Sequence, residues 1–114
     1  MYSERTRLRL EDIVEHSDRI AGYLAGYDFL AYLADTRTAD AVERCLSRVT
    51  EAVIHLGEEE VERLGLGIPW VLVKAMGNKL RHEYRRINPA EIFSTVRDDL
   101  PPLREAAARV LANK

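Results

Sequence analysis

Apolar side chains recur at alternating intervals of three and four residues along most of this chain, and this spacing constrains the fold more than any other feature. It is clearest at Val42, Leu46, Val49, Val53 and Leu56. Residues spaced in this way lie along one side of an α-helix, whereas a half-buried strand requires strict alternation of apolar and polar residues. No stretch alternates in that way for long, so the sequence predicts an all-α protein.

Glycine, proline and capping residues divide the chain into four long helices and shorter pieces. Thr38 is a plausible N-cap, Gly57 a natural helix end, and Asn88-Pro89 a strong helix start, while Pro101-Pro102 should kink or restart the last helix. The long helices are predicted at about 3–24, 39–56, 70–84 and from 89 towards the C-terminus, with short segments at 27–33 and 59–64. We therefore expect one domain, residues 1–114, folded as an antiparallel four- to five-helix bundle.

Composition limits the classes of protein to consider. Hydrophobic residues make up 46% and charged residues 32% of the 114 positions, as expected of a folded protein. The net charge is −2, so binding to nucleic acid requires a local basic patch. Cys45 is the only cysteine, which excludes an intramolecular disulfide. No apolar run approaches the roughly 20 residues that span a bilayer, and the N-terminus lacks the features of a signal peptide. We expect a cytoplasmic protein without membrane contact.

When residues 70–85 of the third long helix are placed around a helical axis, apolar and polar side chains fall on opposite sides. One side collects Leu72, Val73, Met76, Leu80 and Tyr84, and the other collects Lys74, Asn78, Arg81 and Arg85, with His82 at its edge and Gly77 and Trp70 near it. A cationic strip beside an imidazole can bind phosphate and transfer protons near neutral pH. A solvated helix face is also rich in Lys and Arg, so both interpretations stay open on the residues alone.

Other chemistry-bearing residues favour structural roles. His16 and His55 have no metal-ligand spacing, and we expect neither to be catalytic. Cys45 is expected in the core, and Tyr23, Tyr27 and Tyr32 are expected to pack rather than to stack on bases. The chain contains neither a nucleophile elbow nor a phosphate-binding glycine loop. The sequence therefore predicts no metal and no cofactor.

Several segments, in order, resemble the HepT family, toxins of the HEPN superfamily that pair with a minimal nucleotidyltransferase antitoxin. The resemblance covers nearly the whole length and is strongest in the third helix. The segments that carry it are Asp28-Phe29-Leu30, Arg37 to Arg44, Ile68-Pro69-Trp70, Asn78-Lys79-Leu80-Arg81-His82-Glu83-Tyr84, and Asp99 to Leu103.

The resemblance implies a fold and an activity. HepT-like proteins are helical bundles that form homodimers, and the signature helices of two subunits face each other across a cleft where RNA is cut without a metal. Their motif is an arginine, four to six residues, a histidine and, two places later, a tyrosine. His82 and Tyr84 match the last two. In the family, the tyrosine can be adenylylated by the partner nucleotidyltransferase, which silences the toxin.

The resemblance also suggests roles for the residues around His82. His82 would be the acid/base or phosphate-orienting group, and Asn78 would position the 2′-OH or the phosphate. Arg81, Lys74, Lys79 and Arg85 would hold phosphates of the RNA substrate, and Tyr84 would be the modified residue.

The chain departs from the motif where the arginine should stand, because Gly77 lies five residues before His82. Lys74 and Arg81 lie one helical turn on either side and are the candidate replacements, although lysine lacks the bidentate fork of arginine. Three functions therefore stay open. The chain is an active ribonuclease toxin, an inactive module that docks a nucleotidyltransferase or RNA, or a structural helical subunit.

Overall fold

The computed structural model describes residues 2–113, except for the side chain of Tyr84. Within this part of the chain every regular element is helical, as the apolar spacing predicts. The α-helices are α1 (Glu4–Tyr23), α2 (Phe29–Ala34), α3 (Thr36–Leu56), α4 (Glu58–Arg63), α5 (Trp70–His82), α6 (Pro89–Ser94) and α7 (Leu100–Ala112). A 3-10 turn covers Tyr84–Arg86, and a π-helical segment covers Thr95–Asp99.

The core forms where α3 packs against α1 on one side and α5 on the other, with α7 completing the bundle against α1. Thr6 of α1 lies beside Glu60, just beyond α3, and His16 lies beside Arg48. The chain therefore runs through α1 in the direction opposite to α3. Fully buried side chains from these helices fill the centre: Leu10, Ile13, Ile20, Val42, Leu46, Val49 and Val53. The predicted helical bundle is confirmed.

Local capping interactions fix the ends of the helices. The Ser3 hydroxyl accepts from the backbone N–H of Thr6, and Asn88 caps α6 with Pro89 in the first turn, as predicted. Gly57 ends α3 at φ 86°, a conformation that glycine adopts without strain. The prediction of Thr38 as the N-cap of α3 is wrong. Asp35 holds that position and accepts from the N–H of Thr38, so the helix begins three residues earlier than expected.

The proline pair restarts the last helix, as expected. Pro101 and Pro102 lie in the first turn of α7, where their missing N–H groups cost least. They cannot donate to the carbonyl groups of Arg97 and Asp98, and the wider π-helical turn occurs at this interruption. None of the described helices combines the length and apolar content needed to cross a bilayer.

Candidate functional site

Gly77 lies in a tight contact between α5 and α3. It is buried, and a Cβ placed on it would lie 3.0 Å from Ile54 Cδ1 and 3.1 Å from Thr50 Oγ1. These separations are shorter than an ordinary van der Waals contact between such atoms, so the approach depends on the absence of a side chain. The predicted location of Gly77 near the polar face of the helix is therefore wrong.

Helix α5 is rotated about its own axis relative to the orientation predicted from its sequence. Val73 and Gly77 are buried, and the Trp70 indole N–H donates to the Val53 carbonyl at 3.2 Å, so Trp70 also faces α3. Leu72, predicted in the core, is 66% exposed, and its neighbour Val71 is 62% exposed. The prediction assumed that the most apolar side of α5 faces the core of the bundle. With Gly77 facing α3 instead, Leu72 lies on the surface next to the exposed Val71.

A continuous chain of polar contacts connects α3 to α5. Arg81 Nη1 donates to a carboxylate oxygen of Glu51, and Arg81 Nη2 donates to Asn78 Oδ1 at 2.9 Å. The second oxygen of Glu51 lies 2.9 Å from His55 Nε2. We call these four residues, His55, Glu51, Arg81 and Asn78, the polar chain. It brings together two residues that the sequence predicted for the site and two that it did not.

The polar chain favours an ionised carboxylate at its centre. The hydrogen bond with His55 is the largest cause that lowers the pKa of Glu51 below its ordinary value; burial opposes it, and the charge of Arg81 adds to the lowering. An ionised Glu51 accepts from both neighbours. The guanidinium of Arg81 is therefore fixed from two sides, by a carboxylate from α3 and an amide oxygen from its own helix.

Asn78 and Arg81 offer hydrogen-bond donors on the outer side of the polar chain. An arginine carries five N–H donors, and Glu51 and Asn78 engage one nitrogen each of Arg81. The Asn78 oxygen is turned towards Arg81, which leaves its NH₂ group as a donor. Such donors suit the oxygen atoms of a phosphate.

His82 lies beside this donor surface. It is the last residue of α5 and is exposed, one helical turn after Asn78, and residues four apart on a helix are surface neighbours. Its ring makes no hydrogen bond to any side chain or backbone group that the structure describes. An imidazole in this position is open to exchange a proton with a bound ligand.

The remaining predicted residues do not join the polar chain. Lys79 points towards α6, where its Nζ lies 3.4 Å from a Glu91 oxygen. Lys74 Nζ lies 5.4 Å from the centre of the Trp70 ring, a cation–π contact. Arg85 is exposed in the 3-10 turn after α5. The predicted modification site, the side chain of Tyr84, is outside the described residues.

Comparison with known proteins decides the family. A family model described as "Ribonuclease HepT-like" matches residues 13–110 of the chain. The chain belongs to the HepT-like ribonuclease family. The resemblance drawn from the sequence segments is thereby confirmed.

Individual HepT-like relatives agree with this assignment. The "Probable ribonuclease HepT" of Thermococcus cleftensis is 33% identical over 95 residues, covering 83% of this chain and 86% of the relative. The "Putative RNase TTE0752" of Caldanaerobacter subterraneus is 28% identical over 102 residues, covering 90% of each. No solved structure gives a significant match.

The departure from the HepT-like motif has a structural counterpart. At the motif arginine position this chain has Gly77, which packs against Thr50 and Ile54 rather than facing solvent. A guanidinium is supplied one turn later by Arg81, on the neighbouring exposed surface.

Sequence reasoning missed Glu51 and His55 as neighbours of the HepT-like site. They are spaced four apart on α3, which signals only that they can contact each other. Nothing in the sequence connects them to Arg81, which lies 30 positions after Glu51. His16 and Cys45 are buried, as structural roles require. Among the described residues, no group of three His, Cys, Asp or Glu side chains could hold a metal ion.

Proposed function

We propose that this HepT-like protein is the toxin of a toxin–antitoxin pair and acts as a metal-independent endoribonuclease. The observation that carries the proposal is the donor surface formed by Asn78 and Arg81 with the exposed imidazole of His82 one turn away. RNA phosphate needs donors, and cleavage through the ribose 2′-OH needs a group that accepts its proton. Family membership supports the same activity.

In the proposed reaction the ribose 2′ oxygen bonds to phosphorus while its proton moves to the His82 imidazole. The bond from phosphorus to the 5′ oxygen breaks, and the leaving oxygen takes up a proton from a second imidazole. Arg81 and Asn78 stabilise the negative charge that develops on the phosphate oxygens. Lys74 and Lys79 hold neighbouring phosphates as point charges, and Arg85 holds one through its planar guanidinium.

A homodimer would supply the second imidazole as His82 of the other copy. The exposed Val71 and Leu72 at the start of α5 support this arrangement, because adjacent large apolar side chains on a surface commonly mark an interface. Leu72 also borders an open groove of about 510 Å³ between α5 and the last helices. We propose that a second copy of this chain covers this face and completes a composite site.

Regulation would act through Tyr84. We propose that a minimal nucleotidyltransferase antitoxin adenylylates this tyrosine, which follows His82 by two residues. The added phosphate carries negative charge into a surface that binds RNA phosphate, so the modified protein repels its substrate.

Cleavage of RNA by the purified protein in the presence of EDTA tests the central proposal. We expect His82→Ala to lower the rate by at least about 100-fold, the scale of a lost acid–base group. The exposed position of His82 means that the variant should keep its melting temperature. Undiminished cleavage by His82→Ala, or activity that EDTA removes, would contradict the proposal.

A second function is favoured by one specific observation, the buried glycine at the motif arginine position. Without that arginine the protein could be an inactive module that dimerises and docks a nucleotidyltransferase or RNA. Expression of the chain alone in a bacterium separates the two. Growth arrest that His82→Ala relieves supports the toxin, whereas harmless expression of soluble, folded protein supports the module.

A further inference from the structure

Glu51 is an unexpected residue at a surface proposed to bind RNA. A carboxylate repels phosphate, so on charge alone its presence should weaken binding. Both of its oxygens are engaged, however, one by Arg81 and the other by His55. The negative charge of Glu51 is therefore partly offset by the guanidinium of Arg81.

The orientation of Arg81 depends on this carboxylate. An arginine side chain has several rotatable bonds and loses much conformational freedom when it is fixed. Asn78 holds one nitrogen from within α5, but a single neutral hydrogen bond leaves the guanidinium plane free to turn. The second contact, from α3, fixes the plane and leaves the remaining N–H groups in a defined direction.

The contact across the two helices is made possible by Gly77. The helices approach so closely at this glycine that a Cβ would crowd Thr50 and Ile54. Glu51 is next to Thr50 on α3, and Arg81 is one turn after Gly77 on α5. The contact between Glu51 and Arg81 therefore lies within one helical turn of the closely packed Gly77.

We propose that Glu51 is a positioning residue of the site, which holds Arg81 in the orientation that binds a phosphate of RNA. His55 anchors the other carboxylate oxygen and keeps Glu51 in place. This proposal rests on the proposed function, and it assigns to α3 a part of the site that lies outside the signature helix.

The test is whether Glu51→Gln weakens or strengthens the binding of RNA. Charge alone predicts that removing an anion strengthens binding to a polyanion. The positioning role predicts the opposite, a loss of about tenfold in RNA affinity and in kcat/KM, because a misoriented group costs binding and rate. Glu51→Asp keeps the charge with a shorter reach, and we expect it to fall between wild type and Glu51→Gln.

Two further variants test whether Glu51→Gln acts through Arg81 and not through a general change in surface charge. In an Arg81→Ala background, Glu51→Gln should cause no further loss, since there is no guanidinium left to orient. Glu15→Gln is the matched control, because it removes an exposed carboxylate that pairs with Arg19 at 2.7 Å on α1. That variant should bind RNA as tightly as wild type or slightly more tightly.

The outcomes separate this proposal from the function on which it rests. A wild-type protein that neither binds nor cleaves RNA overturns both. Wild-type activity with equal or tighter binding by Glu51→Gln overturns the positioning role alone. Melting temperatures are measured in parallel, and a loss of activity that merely follows a loss of folding in both Glu51 variants also overturns it.

Discussion

At the scale of the residue, Gly77 has the largest consequences. It is buried where α5 packs closely on α3, and it stands where the family motif has an arginine. A glycine inside a helix costs about 1 kcal/mol relative to alanine. The tight contact with Thr50 and Ile54 accounts for its presence here.

Placing an arginine at position 77 should destabilise the fold without raising RNA cleavage. We expect Gly77→Arg to lower the free energy of unfolding by about 1–3 kcal/mol, as overpacking does, and not to raise RNA cleavage. Denaturant unfolding measures this. Gly22→Arg is the matched control, because Gly22 lies in α1 with open space around its Cβ position. A Gly77→Arg protein as stable as wild type and more active would contradict the assigned packing.

At the scale of the element, most helix ends could be predicted from local interactions. Gly57, Asn88 and the proline pair punctuate the chain through interactions within a few residues, and the structure agrees with those predictions. The start of α3 was missed because Asp35 also binds Tyr27, eight residues earlier. The rotation of α5 was missed because it depends on contact with another helix, which periodicity within α5 does not record.

The N-cap of α3 should make the stability of the protein depend on acid pH. Hydrogen bonds from the Tyr27 hydroxyl and from Thr38 lower the pKa of Asp35 from 3.8 to about 2. Because folding lowers this pKa, the ionised Asp35 stabilises the fold above pH 3.8, and that contribution is lost as the pH falls towards 2.

Urea unfolding of wild type and Asp35→Ala should therefore give a stability difference that shrinks between pH 3.8 and pH 2. Tyr27→Phe removes the largest cause of the shift and keeps the cap, so its own loss of stability should also shrink over that range. A difference between wild type and Asp35→Ala that stays constant with pH would contradict the role given to this hydrogen bond.

At the scale of the whole molecule, the sequence predicted the class of fold and the family but not the composition of the site. The bundle follows from apolar spacing, and the roles proposed for His82 and Tyr84 follow from the resemblance. The polar chain joins α3 to α5 across 30 positions between Glu51 and Arg81, so it required the folded arrangement. The contact of Lys79 with Glu91 of α6 likewise required the folded arrangement.

Dimerisation should depend on the exposed apolar start of α5. We expect Leu72→Glu to weaken the dimer by at least about tenfold, because a charge would be buried where an apolar side chain packs. Light scattering after size-exclusion chromatography measures the mass. Leu30→Glu is the matched control, since Leu30 is 74% exposed on α2. RNA cleavage should fall together with the dimer; a Leu72→Glu protein that remains dimeric would place the interface elsewhere.

The crowding at Gly77 also constrains how the sequence can vary. Any side chain at position 77 meets Thr50 and Ile54 on α3. Smaller residues at those two positions would relieve the crowding, so a substitution at position 77 should be tolerated better when positions 50 and 54 carry smaller side chains.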